Sequence, residues 1–386
     1  MIMNKYSILI ALAATLVGCG KDVSTPEEWG DINIPLDPSK HYIHFDADVS
    51  TRGALVEGNV LQDHFMVFGY QYPGWWEAES VLASPNVFVG KPQLVEYKNG
   101  VFTYGTPETW TGNRYAFFAY YPANSTKIKY FDNNELKPGD PYITYELASR
   151  TSSLGHIDVM TAAYVDTGVA SSASVPLEFH HRLTAIDVGA RNFYEYDLNG
   201  TMVPVTIEIT ELQIIFNNLV NNSAKIYLDH NIPSVYTPEE DTFGRIATYT
   251  MVHSNTVYGV KQIAEIIPNT KQYRDMQFIT DDSGNNASAI IVIPQTEPLE
   301  IGGAIKYRKR YSDNGVNKYI VNPEDGTNIY SKELSMTFDK KLQEGRRYFI
   351  EFTFTSDAVS INVVAADEWD DKSDIRYEFE LFIGYE

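Results

Sequence analysis

At 386 residues, 44% of them apolar, the chain has material for two ordinary cores, and its 27 Tyr and 19 Phe exclude a disordered polymer. Thirty basic against 51 acidic residues give a net charge of −21, a field that repels phosphate backbones and makes nucleic acid a poor partner. A single cysteine excludes an internal disulfide, and no Cys/His pair has zinc-ligand spacing, so the expectation is no metal, no cofactor and a fold held by packing.

The first element is a leader. Lys5 precedes an apolar run over Ile8–Val17, too short to span a bilayer but suited to the h-region of a signal peptide. It ends in Leu16-Val17-Gly18-Cys19, which resembles the bacterial lipobox. Residues 1–18 therefore read as a lipoprotein signal peptide, and Cys19 as the acceptor of a lipid anchor. Removing them deletes Lys5 and leaves 29 − 51 = −22. Asp22, Glu27 and Glu28 follow closely, and this resembles an acidic surface-export signal. Residues 19–40, with three Pro and seven charges from Gly20 onward and no period, read as a tether.

From His41 the pattern becomes one of short strands. Ile43, Phe45, Ala47 and Val49 share one face, and His44, Asp46 and Asp48 the other. Strands are also expected at Phe65–Tyr70, Arg114–Tyr121, Val205–Phe216, Ala287–Ile293, Tyr348–Thr355 and Ser360–Ala365, with a short edge strand at Asp158–Ala162. Turns are expected at Pro73-Gly74, Asn99-Gly100, Asn199-Gly200 and Asp325-Gly326. Beyond the leader no twelve-residue window carries a helical stripe. The pattern predicts an all-β protein of two antiparallel β-sandwiches. The small-residue stretch "TGVASSASV" divides it into domains at 41–168 and 175–386.

Chemistry has little support. In "LEFHHRLTAIDV", His180 and His181 are adjacent on a strand and point to opposite faces, so together they cannot hold one metal. One is expected inside with its nitrogens satisfied, the other toward solvent. No GxSxG, HExxH or Gly-rich phosphate loop occurs, and "ITDDSGNNAS" lacks calcium-loop spacing and reads as a polar hairpin loop. The protein is not expected to be an enzyme. Trp75 and Trp76 beside Pro73-Gly74 are ligand aromatics if exposed, which would make the chain a monomeric surface lipoprotein that binds glycan or host protein; buried, they are core.

Two stretches point to assembly. Arg52-Gly53 follows the strand at 43–49 in a small-residue segment that reads as a plain hairpin turn or, if exposed, as a bond accessible to an arginine-specific protease. The chain closes on "IRYEFELFIGYE", with Tyr377, Phe379, Leu381, Ile383 and Tyr385 on one face and Glu378 and Glu380 on the other, after a charged connector at Asp367–Asp374. So apolar a terminal strand pairs within its own sheet or is offered to another molecule.

With the lipobox, "FDADVSTRGAL", "RYAFFAYYPA", "LEFHHRLTAIDV", "IIVIPQ" and "YFIEFTFTSDAVSINVVAADEWDD", the chain resembles the fimbrillins of Bacteroidales and their Mfa-like relatives over nearly its whole length. The resemblance implies two transthyretin-like β-sandwich domains, outer-membrane lipoprotein export and assembly with other fimbrillin subunits into a type V pilus for cell adhesion. It implies cleavage after Arg52, loss of the strand Ile43–Val49, and filling of the vacated groove by a strand such as Tyr377–Tyr385 of another subunit. The two strands share their alternation, as a common groove requires.

Overall fold

The structure, a computed structural model, describes residues 40–49, 61, 63–72, 87–88, 91–130, 140–147, 149–151, 156–165, 174–252, 264–268, 277–278, 289–356 and 358–365. Strands run in chain order as β1 (Phe45–Val49), β2 (Phe65–Tyr72), β3 (Gln93–Lys98), β4 (Val101–Tyr104), β5 (Arg114–Tyr121) and β6 (Ile128–Tyr130). Next come β7 (Tyr142–Glu146), β8 (Met160–Val165), β9 (Val175–His181), β10 (Thr184–Asn192), β11 (Glu195–Leu198) and β12 (Thr201–Phe216). They continue with β13 (Asn221–Tyr227), β14 (Val235–Pro238), β15 (Ala247–Val252), β16 (Ala264–Ile266), β17 (Gln277–Phe278) and β18 (Ile290–Val292). The last are β19 (Leu299–Asp313), β20 (Val316–Tyr319), β21 (Tyr330–Phe338), β22 (Arg347–Phe354) and β23 (Val359–Ala365). Among the described residues the one helical element is a 3-10 turn at Phe243–Arg245, and no helix is long and apolar enough to cross a membrane. The architecture is all-β, as the alternation predicts.

Four sheets form. The first runs β1-β9-β8-β5-β2-β3-β4; the second runs β17-β10-β22-β23, with β18 also on β10. The third is built on the long pair β12 and β19, flanked by β11, β15, β16, β20 and β21, and the fourth runs β14-β13-β7-β6. Two pairings depart from the antiparallel expectation, because β1 lies parallel to β9 and β10 parallel to β22. Each joins strands far apart in sequence, where a crossover replaces the hairpin that an antiparallel neighbour would use. The expected edge strand at 158–162 is also interior: β8 sits between β5 and β9. Around the expected division at 168–175, β9 hydrogen-bonds within the first sheet, and β7 pairs with β13 across it.

Asn99-Gly100 and Asn199-Gly200 turn β3 into β4 and β11 into β12 with positive φ at both residues, which matches the twist of a tight hairpin. Asn314-Gly315 does the same between β19 and β20. Residues 1–39, Pro73-Gly74 and the polar stretch 279–288 lie outside the described residues.

Two cores result, and β2 and β5 stand between them. Phe65, Val67, Tyr115, Phe117 and Ala119 belong to one core, with Ile43, Phe45, Leu177 and Phe179. Phe68, Tyr70, Tyr72, Ala116, Phe118 and Tyr120 belong to the other, with residues of β10, β12, β19 and β22. Burial on both faces is why "RYAFFAYY" is a continuous apolar run and not an alternating one.

Candidate functional site

The alternation of residues 43–49 has a direct structural meaning. Ile43, Phe45, Ala47 and Val49 are buried, and Asp46 and Asp48 are exposed. Phe45 lies edge-on to Phe65, Tyr104 and Phe117, with ring centroids 6.2, 5.7 and 5.4 Å away. Removing Ile43, Phe45 and Val49 from water contributes roughly 1.5–3 kcal/mol each.

Among the described residues β1 is nevertheless an edge strand. Its ladder partner is β9, in register from Phe45↔Val175 to Val49↔Phe179. Its other margin is held by separate contacts. Ile43 N–H donates to the Glu108 carbonyl at 2.8 Å, Trp110 N–H to the His41 carbonyl at 3.0 Å, and Leu61 N–H to the Ala47 carbonyl at 3.1 Å. The Tyr104 hydroxyl donates to the Ile43 carbonyl at 2.9 Å. Burial pushes that phenol far above its ordinary range, so it remains a donor. Val49 and Leu61 are thus both fixed, and Arg52 and Gly53 fall in the sequence between them.

Of the expected site residues, the structure brings Ile43, Phe45, Ala47 and Val49 together on one buried face. Cys19, Arg52, Gly53, Trp75, Trp76, Tyr377, Phe379, Leu381, Ile383 and Tyr385 lie outside the described residues.

The His180-His181-Arg182 cluster occupies the end of β9. His181 is buried, and its Nδ1 meets the Asp158 carboxylate at 2.8–2.9 Å. His180 is half-buried and stacks on His230, ring centroids 3.6 Å apart. This is the inside–outside split that strand geometry predicts.

Arg182 is only 1% exposed. Its guanidinium donates to Thr161 Oγ1 at 2.9 Å, the Tyr227 carbonyl at 2.7 Å, the Ile232 carbonyl and Ser234 Oγ at 3.0 Å, and the Glu344 carboxylate. Glu344 also accepts from the Tyr236 hydroxyl at 2.7 Å. His180, His181, Arg182, His230, Asn231 and Glu344 wall a cavity of about 330 Å³. Sequence reasoning found His180, His181 and Arg182 but not Asp158, His230 or Glu344, whose distance along the chain leaves no local signal. Among the described residues no three His, Cys, Asp or Glu side chains converge as a metal-binding group.

The fimbrillin-like family model matches residues 61–369. No curated protein matches the chain in sequence. Among solved structures, a fimbrial protein from Bacteroides vulgatus is 18% identical, with 84% of this chain and 99% of that one covered and a TM-score of 0.55. That likeness is one of fold. Two candidate cell-adhesion proteins are each 12% identical. The one from Bacteroides uniformis covers 86% of this chain and 100% of its own (TM-score 0.41), and the one from Bacteroides ovatus 87% and 100% (TM-score 0.43).

Proposed function

The chain belongs to the fimbrillin-like family, and from that premise we propose that it is a structural or accessory subunit of a type V pilus. It is exported through the lipobox, lipidated at Cys19 and carried to the outer-membrane surface. Cleavage after Arg52 releases the lipid and β1 together, and the subunit then joins others by strand exchange for cell adhesion. In line with that family, we read the chain as a structural subunit and not as an enzyme.

The observation that carries the reading is the position of β1. It is an edge strand with an apolar inner face, and its departure would uncover both the β9 margin at Val175–Phe179 and a floor made by Phe65, Tyr104 and Phe117. A replacement must offer large apolar residues at every second position, as Tyr377, Phe379, Leu381, Ile383 and Tyr385 do. We read the two cores as two transthyretin-like sandwiches. The division expected between them, with domains at 41–168 and 175–386, is part of that proposal.

The test is the mature N-terminus of protein released from cells, by intact mass and peptide mapping. A chain beginning at Gly53 supports maturation and polymerisation. A chain beginning at lipidated Cys19 sinks the polymerising reading and leaves an anchor, or a monomeric surface lipoprotein binding glycan or protein. Deleting residues 376–386 is expected to abolish polymers and leave folded monomers; fibres from that variant would rule out the terminal strand as donor.

A further inference from the structure

The inner face of β1 has one small position. Ile43, Phe45, Ala47 and Val49 all enter the first core, and Ala47, with a single methyl, is only 2% exposed. Its neighbours close the space around it. On one margin Ala47 is the register partner of Leu177 in the parallel ladder to β9. On the other margin Leu61 N–H donates to the Ala47 carbonyl at 3.1 Å. Leu61 and Leu177 are each 1% exposed and belong to the same core. Interiors are filled to the density of organic crystals, so an alanine between two leucines marks a site whose volume the leucines supply.

The chain's own terminal strand has no such small position. Tyr377, Phe379, Leu381, Ile383 and Tyr385 are all large on the face that alternation would turn inward. To fill all four sites of β1, in either direction, that strand must put Phe379, Leu381 or Ile383 where Ala47 stands. Extra methylenes in a packed site are destabilising unless a neighbour gives up volume. Leu177 lies within β9, the margin that an incoming strand must pair with. Leu61 lies in no strand and on the retained side of Arg52-Gly53. The hydrogen bond that ties it to β1 ends on Ala47 itself, so it is lost with the strand.

We propose that Leu61 is a placeholder in this groove: it completes the packing beside Ala47 while β1 is in place, and it yields that volume to a large side chain of the strand that replaces β1. Leu61 is thereby a residue that sets which strand the groove prefers. The proposal deepens the assembly reading and rests on it.

The packing half is tested in the uncut full chain by a double-mutant cycle in urea. Ala47→Leu and Leu61→Ala are each expected to raise the unfolding constant about tenfold or more, the first by overpacking and the second by leaving a cavity. Together they exchange volume between the two positions, so the double variant is expected to be about tenfold or more stabler than the product of the two effects. Should Ala47→Leu not fold by itself, Ala47→Val takes its place in the cycle. Effects that simply multiply overturn the placeholder.

The exchange half is tested on the full chain nicked through a protease recognition sequence inserted between Arg52 and Gly53. Labelled peptides of residues 41–50 and 375–386 compete for the nicked protein, and the ratio of the two captured is read. Leu61→Ala is expected to shift that ratio about tenfold or more toward the 375–386 peptide, because it loosens the packing beside Ala47 and opens room for a large residue. Faster release of β1 alone would favour both peptides equally and leave the ratio unmoved. Capture of both peptides with the same ratio in the two proteins overturns the placeholder and leaves the assembly reading standing. No capture of the 375–386 peptide by either protein overturns the terminal strand as donor, and the placeholder falls with it.

Discussion

Phe45 of β1 sits edge-on to Phe117 of β5, ring centroids 5.4 Å apart and planes at 86°, so the edge strand is locked into the first core by an aromatic contact reaching the centre of its sheet. T-shaped pairs of this kind add about 0.5–1.5 kcal/mol to the burial of the rings. Phe45→Ala is expected to destabilise the protein by about 3–5 kcal/mol, because it removes that contact and leaves a cavity among Phe65, Phe88 and Tyr104. Asp46→Ala, one residue on and facing solvent, should stay within about 0.5 kcal/mol. Urea unfolding of the two variants checks the difference. Equal effects would mean that β1 contributes nothing to the core that it appears in.

How much of this was legible in the sequence follows from what each feature depends on. Period-two alternation located β1, and the apolar runs located β2, β5, β12 and β22, because burial acts residue by residue along a strand. Hairpin turns at Asn99-Gly100 and Asn199-Gly200 were readable because only a few residues accept positive φ. Strand order was not readable: nothing in "DVMTAAYV" says that β8 lies between β5 and β9, and nothing near Phe45 names Val175 as its partner. The same limit applied to the polar cluster. His180 and Arg182 stood out locally, but His230 and Glu344 reach them only through the fold.

Buried charge offers a second test. Asp187, Arg191, Arg347 and Glu351 share one face of the parallel pair β10 and β22, with Arg191 Nε 2.7 Å from Glu351 and Arg347 Nε 2.6 Å from Asp187. Arg191 is fully buried and Glu351 nearly so. Glu351→Gln neutralises the carboxylate that faces this buried guanidinium and is expected to cost about 3–5 kcal/mol. Arg191→Met combined with Glu351→Leu removes both charges and should recover most of that loss. A double-mutant cycle by urea unfolding measures it, and a double variant as unstable as the sum of the singles would refute the pairing account.

Two glycines separate backbone strain from steric contact. Gly315, in the β19–β20 turn, has φ +81° and open space around the position of a Cβ, so Gly315→Ala is expected to cost only the left-handed penalty of about 1–2 kcal/mol. Gly345, at φ +67°, would place a Cβ 3.1 Å from the His181 carbonyl, in the turn whose N–H donates to the Leu183 carbonyl at 2.9 Å. Gly345→Ala should therefore cost more than Gly315→Ala. Thermal unfolding of the pair gives the comparison, and equal shifts would remove the steric term from the account.

His156 makes stability depend on pH. Its Nδ1 accepts from the Ile291 N–H at 2.9 Å and its Nε2–H donates to the Ser149 carbonyl at 3.1 Å, which specifies one neutral tautomer. Burial lowers its proton affinity, and the bond to Ser149 opposes this only in part. A histidine whose folded value lies below its free value of 6.5 binds fewer protons folded than unfolded at the pH values between the two. Stability therefore rises with pH across that window, and the contribution is lost as pH falls below about 6.5. Protonation would also turn Nδ1 into a donor facing the Ile291 N–H. His156→Gln cannot take up this proton, so its urea midpoint should fall less steeply than the wild type's from about pH 7 to about pH 5. An identical slope in the two proteins would show that acid sensitivity arises elsewhere in the fold.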